Sequence, residues 1–79
     1  MDYIDRLVAM RLDNDLSQKT VAAVLHKSQQ GYDHIEKRRA KLSIEDFVKL
    51  CVFYNIDPNY FLGFCSRPVA LQDESTPQK

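Results

Sequence analysis

Seventy-nine residues with 44% hydrophobic content can build one small domain with a modest core, and no more. The eleven Lys and Arg balance the eleven Asp and Glu, so no overall charge draws the chain to a polyanion or a membrane surface. No apolar run approaches the roughly 18 residues of a membrane span, the acidic start MDYIDRL lacks a signal peptide's cations, and Cys51 and Cys65 lack the CxxC spacing of a metal framework, all of which fits a reducing cytoplasm.

In chain order, Asp2 to Asn14 predicts a first helix with an apolar stripe of Tyr3, Leu7 and Met10, and with Ile4 and Val8 alongside. Leu16 to Glu36 then reads as two short helices. Leu16, Val21, Ala22 and Leu25 give the first an apolar face, and Tyr32 and Ile35 give one to the second. Only His26 and Lys27 separate Leu25 from Ser28, so the two helices must cross steeply, as in a helix-turn-helix. Ser17 and Ser28 are good caps, because a serine hydroxyl accepts from a free amide of the first turn. Gln18 sits where the start of the helix favours a phosphate.

Inward placement of Tyr32 and Ile35 leaves Gln29, Gln30, Asp33, His34 and Lys37 facing out. Glutamine can pair with both edge groups of adenine in a major groove, whereas Asp33 is repelled by DNA unless it accepts from a cytosine amine. Gly31 allows either a close approach to DNA or tight packing on a neighbouring helix. Charge is concentrated around this helix: Ser17 to Lys41 holds six cations (Lys19, Lys27, Lys37, Arg38, Arg39, Lys41) against two anions. Such a layout aims one face at an anion and leaves the remainder acidic.

Arg38 to Lys41 forms a cationic loop, and Ser43 caps a fourth helix that runs to about Tyr54 with Phe47, Leu50, Cys51 and Tyr54 inward. Asn55 is suited to end it in the left-handed conformation. Asp57-Pro58 opens a short fifth helix, closed by Gly63. The aromatic cluster Phe53, Tyr54, Tyr60, Phe61 and Phe64 is either core or, in part, a dimer surface. Residues 1–64 form the domain. Residues 65–79 form a polar tail, expected to be disordered, in which Val69, Ala70 and Leu71 offer apolar contacts to the body or to a partner.

The frame Leu16-Ser17-Gln18, Ala22, Leu25, Ser28, Ile35-Glu36, Ser43 and Leu62-Gly63 resembles the phage-repressor and Cro type of helix-turn-helix domain, the XRE-like family. The resemblance spans roughly Tyr3 to Gly63 and implies an all-α, compact five-helix lambda-repressor-like fold, to which the polar composition beyond it adds a flexible C-terminal tail. It implies base contacts from Gln29, Gln30 and His34. Phosphate contacts are expected from Gln18, Ser28, Lys37, Arg38, Arg39 and Lys41, and an ion pair between Arg11 and Glu36. The chain departs from the family at His26 and Arg38, where glycine is usual, and at Leu42, where proline is common.

The implied function is a regulator, a repressor above all, binding double-stranded DNA as a homodimer on half-sites about one helical turn apart. The alternative keeps the fold as a protein-interaction module, such as an antitoxin or anti-repressor. No nucleophile–base pair, phosphate loop or metal cluster is evident, His26 and His34 have no second ligand nearby, and no cofactor or small-molecule ligand is expected.

Overall fold

Each helix starts on a side chain that accepts from its own first turn. Asp2 caps α1 (Tyr3–Asp13), taking the Asp5 amide at 3.0 Å while Asp5 takes the Asp2 amide in return. Ser17 caps α2 (Gln18–Val24), Ser28 caps α3 (Gln29–Glu36) and Ser43 caps α4 (Ile44–Tyr54). Asp57 caps α5 (Pro58–Phe61), with Pro58 in the first turn, where a missing amide costs nothing. Each such cap is worth about 1 kcal/mol against alanine. The computed structural model describes residues 2–64 and 66–71. Of the tail expected over residues 65–79, Cys65 and the segment from Gln72 onward lie outside the described residues.

Every helix also ends in one pattern. A residue with positive φ follows its last turn, and the next amide reaches back five residues. The positive-φ residues are Asp15, His26, Arg38, Asn55 and Gly63, and the returning bonds are Leu16 to Arg11, Lys27 to Ala22, Arg39 to His34, Ile56 to Cys51 and Phe64 to Asn59. Only one of these five positions carries glycine. Asp, His and Asn tolerate the left-handed region better than most residues, but a Cβ there still costs free energy. We expect His26→Gly to raise stability by about 0.5–1 kcal/mol, read as a higher thermal midpoint. His26 is exposed, so the exchange removes little besides the Cβ strain at its φ of 57°.

The core is drawn from all five helices: Ile4 and Leu7 from α1, Val21 and Ala22 from α2, Tyr32 and Ile35 from α3, Phe47, Leu50 and Cys51 from α4, and Phe61 from α5, with Leu25 at the α2 end. Fully burying side chains of this size contributes about 1.5–3 kcal/mol each. The expected α1 stripe holds at Leu7, which is buried, and at Met10, which packs on the core, but Ile4 takes the inward place expected of Tyr3. Ile4 is buried, whereas Tyr3 is 39% exposed and meets Phe47 edge-on. Phe61 is fully buried among Phe47, Tyr54 and Tyr60, so the aromatic cluster is mostly core, and Phe53 and Phe64 are left exposed. Burial pushes the Cys51 thiol up to about 11, which makes it an inert apolar side chain. Beyond α5 the chain folds back. Ala70 forms an antiparallel bridge with Ile56, and the Asp57 amide donates to the Val69 carbonyl at 2.6 Å. Val69 to Leu71 thus dock on the body of the domain.

Candidate nucleic-acid interface

The position of α3 is set from two sides. Tyr32 and Ile35 bury its inner face, and α2 is its main packing neighbour. Glu36, in its last turn, fixes it to α1: Arg11 Nε donates to Glu36 Oε2 at 2.7 Å and Nη2 to Oε1 at 3.0 Å. The same guanidinium holds the Leu16 carbonyl at 2.9 Å, which ties the loop before α2 to α1. Gln18 Nε2 donates to Glu36 Oε1 at 3.0 Å, and the nearby Tyr32 hydroxyl also favours the charged form of this carboxylate. Burial alone would push the Glu36 carboxyl up, but the Arg11, Tyr32 and Gln18 donors outweigh it and hold Glu36 below its ordinary value. One carboxylate therefore links α1, α2 and α3.

On the outer face, Gln29 and Gln30 are exposed and His34 is half-buried. The two glutamines share a shallow depression with Gln18, Asp33 and Lys37. Asp33 does not project alone. Its carboxylate takes Gln18 Nε2 at 2.8 Å and pairs with Lys37 Nζ at 3.0 Å, and the Gln18 and Lys37 bonds hold it below its ordinary pKa. Gln18 therefore braces the middle and end of α3, with its amide donors on Asp33 and Glu36. The Ser28 hydroxyl accepts from the Gly31 amide at 3.0 Å. A Cβ on Gly31 would press that hydroxyl at 3.2 Å, so the neighbour that glycine accommodates is the cap of its own helix.

The expected cations divide into two groups. Lys37 lies on Asp33, and Arg38 is gripped by Asp2 and Asp5, with Nη2 at 2.7 Å from an oxygen of each. Among the described residues, Arg39 and Lys41 are exposed and pair with no carboxylate. Arg38, Arg39 and Lys41 border one depression, and Arg38 also borders a second that contains Gln18, Asp33 and Lys37. The glutamine face and the cationic loop thus form one continuous surface, with Arg38 at the join.

A family model described as helix-turn-helix, of the lambda-repressor-like kind, matches residues 7–61. The chain belongs to the XRE-type helix-turn-helix family. In this helix-turn-helix domain α2 and α3 form the motif, α3 is its outward second helix, and the family is one of DNA-binding regulators. No curated protein and no solved structure matches the chain. Among the described residues, no helix is long and apolar enough to cross a membrane.

Two features of this surface escaped the sequence. The reciprocal cap of Asp2 and Asp5 was legible as two aspartates three residues apart, but their grip on Arg38 spans more than thirty positions and exists only in the fold. The Asp33–Lys37 pair has ordinary helical i,i+4 spacing, and its place beside Gln18 comes from how α2 crosses α3.

Proposed function

We propose that this domain is a sequence-specific repressor acting in the cytoplasm, which reads operator DNA through the segment Ser28–Lys37 and binds it as a homodimer. The observation that carries the reading is the division of α3: Tyr32 and Ile35 are buried while Gln29 and Gln30 stand exposed at its start. Gln29, Gln30 and His34 contact base edges in the major groove. Ser28, Arg39 and Lys41 hold phosphates, and Gln18, Lys37 and Arg38 join them by exchanging carboxylate partners for phosphate oxygens.

A domain this small covers few base pairs, so useful affinity and specificity require two copies on half-sites about one helical turn apart. Selection of bound duplexes from a random pool tests the proposal. The expected product is a two-fold symmetric site with adenine prominent in each half. A pool that stays random overturns sequence-specific reading.

A protein-interaction role of the antitoxin or anti-repressor kind has one observation in its favour: Ile44, Val48 and Val52 form an exposed apolar stripe along α4. A chain that shifts no duplex even at low salt belongs to that reading.

A further inference from the structure

Arg38 occupies its place at a cost. Its φ of 63° lies in the left-handed region, where an arginine Cβ is unfavourable. Its guanidinium makes three bonds to carboxylates: Nη2 to Asp2 Oδ1 and to Asp5 Oδ1, each at 2.7 Å, and Nε to Asp2 Oδ2 at 3.3 Å. All three side chains are about half exposed, at 47% for Arg38, 52% for Asp2 and 47% for Asp5. Single exposed pairs add little to folding, and a bidentate network such as this one adds more but is still screened by solvent. Nor does the α1 cap require the charge, since a neutral oxygen at position 2 accepts the Asp5 amide equally well. The cluster can steady the junction of α3 and α1, and folding does not require two carboxylates there. Its geometry does suggest a use, because two oxygens set against one guanidinium fork imitate the way a phosphate is held. Asp5 also borders the groove that contains Gln18, Asp33, Lys37 and Arg38.

We propose that Asp2 and Asp5 are specificity-determining residues that act as an internal stand-in for phosphate, occupying Arg38 until a fully seated duplex displaces them. The inference rests on the DNA-binding reading above. Two carboxylates around one guanidinium leave a local negative charge at Arg38, beside the cations Arg39 and Lys41, unpaired among the described residues. A loosely held, non-cognate duplex meets that charge, does not reach Arg38 in bidentate geometry, and gains nothing from it. A cognate duplex, docked by the glutamines of α3, brings a phosphate close enough to exchange. The carboxylates thus penalise non-specific binding more than specific binding, which widens the ratio between them.

The test measures affinity against salt concentration for a random duplex and for the selected site, in the full chain. The variants are wild type, Asp5→Asn, Asp2→Asn with Asp5→Asn, and that pair combined with Arg38→Gln. Asp13→Asn, at the far end of α1, makes the same kind of charge change at an exposed position away from Arg38. Asparagine at position 2 keeps the cap, and the single Asp5→Asn leaves Asp2 untouched.

With the carboxylates removed, random-duplex affinity should rise several-fold, and the slope of log K against log salt should steepen by about one, the contribution of one further phosphate contact. The gain on the selected site should be smaller, Asp5→Asn should move in the same direction, and Arg38→Gln should cancel the gain. No gain, an equal gain from Asp13→Asn, or a gain that persists with Arg38→Gln overturns the inference. Wild type that binds no duplex at low salt overturns the DNA reading itself, which is a separate outcome.

Discussion

Replacing Glu36 with alanine should cost about 3 kcal/mol or more, the range found when one partner of a well-desolvated ion pair is removed. For a domain of this length, with about 4–8 °C per kcal/mol, the thermal midpoint should fall by more than about 12 °C. The side chains of Arg11 and Glu36 are only 11% and 9% exposed, so the guanidinium left behind cannot recover its hydration. Gln18 loses an acceptor in the same step.

The dependence on pH has a definite sign. Glu36 is held below its ordinary value of 4.5 in the fold, so the unfolded chain binds its proton more readily. The contribution of Glu36 is therefore complete above about pH 4.5 and is lost as the pH falls through the lower, folded value. Thermal melts of wild type and Glu36→Gln should differ most near neutrality and converge on acidification. A gap that stays constant from neutral to acidic pH would show that the carboxylate's charge plays no part.

The second large effect concerns what the domain binds. Gln29→Ala and Gln30→Ala should each relax base preference at one position per half-site, at about 1–3 kcal/mol for a lost bidentate contact. Binding to random DNA should barely change. Arg39→Ala should do the reverse, weakening binding to every sequence and flattening the salt slope by about one. Titrations of the selected site and of single-base variants, each over a range of salt, separate the two. If all three substitutions lowered affinity equally on every duplex, the division into reading and gripping residues would be wrong. Because Gln29, Gln30 and Arg39 are all exposed, none of these changes should move the thermal midpoint appreciably.

Much of this architecture was legible because it is local. Ser17, Ser28, Ser43 and Asp57-Pro58 mark four helix starts by their own chemistry, and each caps as expected. Asn55 and His26 take the left-handed conformation that their places require. The first helix was less clear because Tyr3 and Ile4 both offer an apolar face, and which one turns inward depends on helices that lie later in the chain. The Arg11–Glu36 pair came from family likeness rather than from spacing, since its partners stand 25 residues apart. The carboxylates around Arg38, and the bonds that turn Gln18 toward Asp33 and Glu36, were not legible at all. They depend on the angle at which helices meet, and no short window of sequence carries that angle.

Because α3 is anchored through Tyr32, Ile35 and Glu36, the side chains proposed to read DNA are left almost without structural duty. Positions 29 and 30 can accept other residues at little energetic penalty, so a new operator preference is within reach of one or two substitutions. Folding places few demands on this surface, and what holds its lettering in place is the DNA it has to recognise.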